Sequence, residues 1–149
     1  MSLPPQKFRE IVFLLLYQND FLLSELGESS SMIMEYLKVT RKSVLQAYDR
    51  VSLIKEKLEE IDEKISKRST EYSFDRISSV EKTILRFGLY EILYDASLPP
   101  KIYFAEAIRL TRKFGSPESA HFVNAILDAV YKELPNNNDI QPSEVSVSL

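Results

Sequence analysis

The residues in this sequence that are best suited to binding chemistry are cations that recur among aromatic rings. The cations are Lys7, Arg9, Arg86, Lys101, Arg109, Arg112, Lys113 and, when protonated, His121, and the rings are Tyr17, Tyr103 and Phe122. Single-stranded RNA is bound by this combination, because cations pair with phosphates while rings stack on unpaired bases. An ordinary mixed-charge helix surface is the alternative, and core packing is the alternative for Tyr17 and Phe122, which lie on or beside apolar stripes.

Catalytic chemistry finds little support in the residues. The single histidine, His121, has no cysteine partner and no acid at metal-ligand spacing. The sequence has no glycine-rich phosphate loop, no GxSxG and no HExxH. Its carboxylates at Glu81, Glu91, Glu106 and Glu118 have simpler uses as helix caps, ion-pair partners or dipole complements. We therefore expect a protein that is not an enzyme and that holds no metal or cofactor.

Composition limits which other classes of protein fit the sequence. The 149 residues carry a net charge of −3, which argues mildly against a broad nonspecific grip on nucleic acid. The absence of cysteine excludes disulfides and fits the cytoplasm. The longest apolar run, Ile11 to Tyr17, is too short to span a membrane, and no small-residue cleavage site follows it. We expect a cytoplasmic protein with no membrane association.

Apolar periodicity predicts an all-α chain whose best-defined part runs from Ser78 to Tyr131. Ser78 and Glu81 form a capping-box pattern at the start of the first of three helices. A double proline at 99–100 separates the first helix from the second. We expect the second to end at Gly115 in a left-handed cap, and Ser116 to cap the third. Such short connectors predict helices that fold back on one another.

The rest of the chain predicts three earlier helices, at about 5–23, 32–39 and 41–68, with a break at 27–31. The third could form an intermolecular coiled coil, but a stripe facing its own bundle is favoured because only three heptads are present. Leu22, Tyr36, Tyr72 and Phe74 are expected to face the core. One domain over 1–149 is expected, with subdomains at 5–68 and 69–134 and a disordered tail at 135–149.

The order and spacing of several short pieces carry a family resemblance. The pieces are Val80-Glu81-Lys82, Ile84-Leu85-Arg86, Leu89-Tyr90-Glu91, Pro99-Pro100-Lys101, Glu106-Ala107, Lys113-Phe114-Gly115, Ser119, Phe122-Val123-Asn124 and Leu127-Asp128. Together they strongly resemble the C-terminal half of the NusB transcription antitermination family. The resemblance continues weakly into the first helix through Arg9-Glu10 and Leu16-Tyr17-Gln18.

The resemblance implies a function as well as a fold. NusB-like proteins are all-α, with two packed three-helix bundles, and they are not enzymes. They bind boxA, a short single-stranded RNA signal, together with NusE, a ribosomal small-subunit protein. The complex joins RNA polymerase and suppresses premature termination, notably on ribosomal RNA operons. Some members self-associate, so a homodimer is possible. NusB-like domains also precede methyltransferase domains, but nothing after Leu134 is expected to bind a methyl donor.

The predicted sites combine the resemblance with the pattern of cations and rings. The predicted RNA-binding residues are Lys7, Arg9, Tyr17, Arg86, Glu118, Ser119, His121, Phe122 and Asn124. The predicted NusE contacts are Glu81, Arg86, Tyr90 and Glu91. Two departures stand out: Pro4-Pro5-Gln6 replaces a run of arginines, and Ala105 replaces an asparagine. Because lost phosphate contacts weaken RNA binding, a protein–protein adaptor that binds NusE with little RNA affinity is the alternative.

Overall fold

Helices make up the regular structure of the computed structural model, which describes residues 3–21, 26–95 and 97–135. The helices are α1 (Pro5–Phe21), α2 (Leu26–Leu37), α3 (Arg41–Glu56), α4 (Leu58–Arg68), α5 (Ser79–Tyr94), α6 (Pro100–Phe114) and α7 (Pro117–Tyr131), with a 3-10 turn at Phe74–Arg76. No strand occurs in these ranges, so the predicted all-α class is confirmed. The chain divides into two compact units, Met1–Glu56 and Lys57–Leu149.

The first unit contains α1, α2 and α3, each of which contacts the other two. The buried side of α1 includes Ile11, Val12 and Leu16, which recur at helical spacing as the sequence predicts. The facing stripe of α3 is also confirmed, with Val44, Ala47, Val51 and Ile54 fully or almost fully buried. The predicted core residue Leu22 lies outside the described residues.

The predicted break at 27–31 is wrong, because α2 is helical from Leu26 to Leu37. Three serines and a glycine lower helix propensity, but propensity is a weak preference that tertiary packing overrides. Ile33 is buried, whereas Tyr36 is 64% exposed and does not face inward as predicted. The helix ends at Leu37, and the next residue, Lys38, has a φ of 58° and so adopts a left-handed conformation without being glycine.

The single helix predicted over 41–68 is also wrong. Lys57 leaves helical geometry at φ −109° and ψ 4°, and α4 begins at the next residue. Ile61 and Ile65 continue the apolar stripe and are fully buried, so the break leaves the repeat intact. The repeat specifies which side is buried, but it does not specify a continuous backbone. Although the sequence grouped α4 with the N-terminal helices, α4 contacts α5 and α7 and belongs to the second unit.

The second unit is built around α5, which contacts α4, α6 and α7. Its start is the predicted capping box: the Ser78 hydroxyl accepts from the Glu81 amide, and the Glu81 carboxylate accepts from the Ser78 amide. Gly88 faces two neighbouring helices, and a methyl group in its place would make ordinary van der Waals contacts. A Cβ there would lie 3.4 Å from a Leu127 methyl and 3.7 Å from the Ala107 Cβ. The three predicted C-terminal helices are confirmed as α5, α6 and α7.

The connection from α6 to α7 depends on Gly115, but for a different reason from the one predicted. Its φ is −114°, so the expected left-handed cap is wrong. The Gly115 amide donates to the Thr111 carbonyl at 2.7 Å. A Cβ on Gly115 would lie 2.9 Å from that same oxygen, so close approach of the backbone is what requires glycine. Ser116 then caps α7 by accepting from the Ser119 amide at 3.3 Å, as predicted.

Candidate nucleic-acid interface

A groove of about 510 Å³ lies on the second unit, between the segment that joins α4 to α5 and one side of α7. Four residues that the sequence singles out line it: Glu81, Glu118, His121 and Phe122. The segment from Arg68 to Ser78 supplies most of the opposite wall. The structure therefore brings one part of the predicted site together in a single concave surface.

One side of α7 faces this groove because of its residue spacing. Glu118, His121, Phe122 and Ala125 recur at intervals of three, one and three residues, which places them on one face of the helix. Glu118 and His121 are exposed, and Phe122 is half-buried. The apolar residues Ala120, Val123 and Leu127 are fully buried and fix the helix against its neighbours. Core packing of α7 thus orients the groove-facing side chains.

The opposite wall is held by local hydrogen bonds. The Ser69 hydroxyl donates to the Tyr72 carbonyl at 2.6 Å. The 3-10 turn that follows is closed by the Arg76 amide, which donates to the Ser73 carbonyl at 2.9 Å. Ile77 is 3% exposed and anchors the end of the segment in the core. These contacts within the chain give the wall a defined conformation.

Two rings meet across the groove. Tyr72 and Phe122 have ring centroids 5.5 Å apart and an interplanar angle of 70°, an edge-to-face pair. Tyr72 remains 46% exposed, so the prediction that it is buried in the core is wrong. Phe74 is half-buried, and its ring lies 4.5 Å from the Lys82 ammonium. Only one of the two aromatic residues of this segment is therefore directed into the groove.

The charges around the groove are mixed. Arg76 and His121 are exposed and have no ion-pair partner in the part of the chain that the structure describes. Arg68 pairs with Glu133, and the hydrogen bond from Arg68 lowers the pKa of that carboxyl. Glu71, Glu81 and Glu118 add three carboxylates. Within the described ranges no cluster of acids, histidine and cysteine could hold a metal ion.

Comparison with known proteins identifies the family. The model of the NusB family matches residues 6–132. The chain belongs to the NusB family. It is 36% identical over 129 residues to the transcription antitermination protein NusB of Pseudothermotoga lettingae, covering 85% of this chain and 89% of that one. The Chlamydia pneumoniae NusB is 35% identical over 136 residues, covering 91% and 85%.

Solved NusB structures share the fold. Thermotoga maritima NusB is 32% identical, with a TM-score of 0.73 and coverage of 89% of this chain and 94% of that one. NusB in a complex of the antitermination factors NusB and NusE with double-stranded RNA is 29% identical. It also has a TM-score of 0.73, and the match covers 87% of this chain and 96% of that one.

Arg86, assigned by its NusB-like position to both RNA and NusE, is held inside the second unit. Its guanidinium donates to Asp62 through two nitrogens, at 2.8 and 2.9 Å. The residue is only 8% exposed, and its guanidinium carbon lies 5.8 Å from the centre of the Phe74 ring. The bidentate geometry is the strong form of an arginine–carboxylate pair. Arg86 therefore joins α4 to α5, and its contact with a ligand stays a prediction.

Other NusB-like positions differ in accessibility. Ser119 is 9% exposed, and its hydroxyl lies 3.2 Å from that of Ser116. Asn124 is half-buried, and its Oδ1 has no hydrogen-bond partner among the described residues. Tyr90 and Glu91 are 8% and 4% exposed. These four do not line the groove, and their roles in binding RNA or NusE remain predictions.

Lys7, Arg9 and Tyr17 belong to α1 in the first unit, whereas the groove is described on the second unit. All three are half-buried, and Tyr17 stacks on Phe13 with centroids 5.7 Å apart. Their predicted contacts with RNA stay predictions.

No helix in the described ranges is long and apolar enough to cross a membrane.

Two of the residues that the sequence singles out on α6, Arg109 and Tyr103, are less available than expected. The Arg109 guanidinium makes a two-nitrogen contact with the Glu106 carboxylate at 3.1–3.2 Å. Tyr103, expected as an interleaved ring, is instead 2% exposed, and its hydroxyl accepts from the Leu98 amide. The aromatic ring that α6 was expected to offer therefore serves the core.

Sequence reasoning did not assign Tyr72 and Arg76 to the site, although both line the groove; it expected Tyr72 in the core and gave Arg76 no role. Both lie in a polar segment without helical periodicity, so no pattern of buried positions places them. The sequence signal that could have found them is the presence of a ring and a cation in a segment that immediately precedes the Ser78 capping box. A segment tied to a helix start by its last residues has a defined position, even without regular structure of its own.

Proposed function

We propose that this protein is a transcription antitermination factor. It binds boxA-type single-stranded RNA together with NusE and joins the RNA polymerase antitermination complex, notably on ribosomal RNA operons. The groove beside α7 carries the proposal, because Glu81, Glu118, His121 and Phe122 converge there. The names of the relatives and the solved complex of NusB, NusE and RNA support it.

Single-stranded RNA is the form that suits this surface. The solved complex holds double-stranded RNA, whose stacked base pairs present backbone and groove edges to a protein. The groove here is concave and lined by rings, and rings bind bases that have left the stack. The protein reads boxA through unpaired bases, and duplex RNA of the same sequence binds more weakly.

NusE contributes part of the affinity for RNA. Only Lys7 and Arg9 stand at the start of the chain where the family resemblance leads us to expect a run of arginines. Each missing phosphate contact reduces the affinity and flattens its dependence on salt. Of the four proposed NusE contacts, Glu81 is the most accessible, because Arg86, Tyr90 and Glu91 are all buried. NusE therefore approaches the start of α5.

The protein needs no cofactor and performs no reaction of its own in this role. It works in the cytoplasm, where nascent transcripts are made. If it forms a homodimer, the dimer and the RNA complex compete when the same surface is used. Mass measurement by light scattering with and without boxA RNA reports that competition.

The central test measures RNA binding with and without NusE. Fluorescently labelled boxA, a scrambled strand and a boxA duplex are titrated with the protein at two salt concentrations. We expect preference for single-stranded boxA, tighter binding with NusE, and loss of affinity when Phe122→Ala removes the ring. Tyr36→Ala, which alters an exposed ring of the first unit, is the matched control. If neither boxA nor NusE binds, the proposal is overturned.

A protein–protein adaptor is the second candidate, favoured by the net charge of −3 and by Pro4-Pro5-Gln6. It requires a NusE complex that survives charge reversal at Lys7, Arg9 and His121, and no RNA crosslinking in the wild-type protein. Crosslinking that the reversals abolish excludes the adaptor. Co-purification from lysate, scored for NusE and for ribosomal RNA leader fragments, tests both candidates in one experiment.

A further inference from the structure

We propose that the segment from Thr70 to Arg76 is the second wall of the RNA site. Tyr72 forms, with Phe122, a platform for one unpaired base, and Arg76 contacts the adjoining phosphate. The inference rests on the proposed function and extends it to residues outside the helices that carry the family resemblance.

Ring geometry favours a base on this platform. In an edge-to-face pair the ring that presents its edge keeps both faces uncovered by its partner. The pair is 5.5 Å between centroids, and Tyr72 is 46% exposed at the groove. An exposed ring beside a half-buried one thus offers a π-face in a concave setting, which is the arrangement that stacks unpaired bases.

The charges decide which part of a nucleotide enters. Glu71, Glu81 and Glu118 line the groove, whereas the guanidinium of Arg68 is already paired with Glu133. Carboxylates repel phosphate but accept hydrogen bonds from the exocyclic amino groups of bases, as they do from cytosine N4. The base therefore enters the groove, and its phosphate stays at the rim beside exposed Arg76.

Of the three carboxylates, Glu118 and Glu71 are the ones that can read the base. Glu81 Oε1 already accepts from the Ser78 amide at 3.3 Å and from its hydroxyl at 3.0 Å. Glu71 and Glu118 are exposed and have no hydrogen bond or ion pair in the part of the chain that the structure describes. A base with an exocyclic amino group is therefore preferred over uracil at this position.

The volume of the groove and the fixed position of its wall are consistent with the binding of one nucleotide. A volume of about 510 Å³ lies within the range of small-ligand clefts, about 300–1,000 Å³. The Ser69–Tyr72 hydrogen bond and the buried Ile77 hold the wall in place. A wall held by contacts within its own chain should lose less conformational entropy on RNA binding than an untethered loop.

The test compares variants of the two residues with matched controls. We expect Tyr72→Ala to weaken boxA binding by roughly 5- to 150-fold, the range for loss of one stacked base, and Tyr72→Phe to restore it. Arg76→Gln lowers the slope of log affinity against log salt by about 0.7. Tyr36→Ala and Arg41→Gln, which change an exposed tyrosine and an exposed arginine of the first unit, leave affinity and slope at their wild-type values.

A second measurement locates the base. boxA strands carrying 2-aminopurine at one position at a time are titrated, and one position is expected to show a fluorescence change that Tyr72→Ala removes and Tyr72→Phe keeps. Wild-type affinity and fluorescence in Tyr72→Ala and Arg76→Gln overturn the inference while leaving the proposed function intact. Absence of boxA binding by the wild-type protein, alone and with NusE, overturns the proposed function itself.

Discussion

Arg86 and Arg76 are ten residues apart in the second unit, and their surroundings give them different tasks. Arg86 is 8% exposed, and both oxygens of Asp62 accept from it between α4 and α5. Arg76 is exposed at the groove, where no carboxylate in the described residues pairs with it. The comparison teaches that the same residue type stabilises the fold in one region and is available for a ligand in the other.

The difference follows from what each arginine faces. The α4–α5 region offers Arg86 a carboxylate of matching geometry and an aromatic ring, which compensate for its removal from water. Arg76 is exposed at the groove, and none of the three groove carboxylates forms an ion pair with it among the described residues. A ligand phosphate can therefore bind Arg76 without first breaking an ion pair, whereas binding Arg86 requires separating it from Asp62.

The largest effect is expected from Arg86→Met, which leaves the Asp62 carboxylate half-buried without its partner. We expect the free energy of unfolding in urea to fall by about 3 kcal/mol. Lys67→Met is the control, since it removes an exposed i,i+4 pair with Glu63 and should leave the unfolding midpoint close to that of the wild type. Wild-type stability in Arg86→Met together with a large loss of boxA affinity would move Arg86 into the ligand site.

A smaller effect is expected from Gly115→Ala, which tests the backbone that positions α7 and therefore the groove. The added methyl would lie 2.9 Å from the Thr111 carbonyl oxygen, so the backbone must shift, at a cost of about 2 kcal/mol. Gly88→Ala is the control, because its methyl meets a Leu127 side chain at 3.4 Å that can move. Thermal and urea unfolding should show that Gly115→Ala is much less stable than Gly88→Ala. The reverse order of stability would contradict the structure.

The smallest effect concerns a second polar contact between α4 and α5. Burial, and then the hydrogen bond that Tyr94 donates to Glu60, raise the pKa of Tyr94 from 10.0 to about 12. Because the folded pKa is the higher one, the stabilising contribution is complete below pH 10 and is lost as pH rises through about 12. Wild-type protein should therefore lose stability faster than Tyr94→Phe over that interval.

Absorbance titration of the tyrosinate provides the measurement for this contact. The difference between the wild-type and Tyr94→Phe curves isolates one phenol, and its midpoint should lie near 12. Glu60→Gln removes the carboxylate and should move that midpoint toward 10.0. A midpoint that stays unchanged in Glu60→Gln would show that the carboxylate contributes nothing to the shift.

Much of this architecture is predictable from the residues, and the exceptions have physical causes. The capping box at Ser78 and Glu81 is visible in the sequence because both partners of each hydrogen bond are local. The break at Lys57 is not visible, because the apolar stripe passes through it unchanged. Likewise the helix over Leu26–Leu37 forms despite its serines, since packing overrides propensity.

The site is only partly predictable, for a related reason. Glu118, His121 and Phe122 are found by resemblance, and their helical spacing places them on one face. Burial is a property of three-dimensional neighbours, so nothing local indicates that Arg86 meets Asp62, which lies 24 residues earlier. Tyr72 and Arg76 are missed because an irregular segment gives no periodic signal, although hydrogen bonds fix its position.

The start of α4 has a consequence for how this unit forms. Lys57 makes no side-chain cap, so the first amides of α4 gain no local partner from it, although Glu59 and Glu60 suit the helix dipole. With 11 residues, α4 is shorter than the roughly 12–15 that an isolated helix needs to persist in water. It is helical because Ile61 and Ile65 are buried against its neighbours. As an isolated peptide this stretch should therefore show little helix by circular dichroism, and in the protein we expect it to become ordered as it packs against α5 and α7.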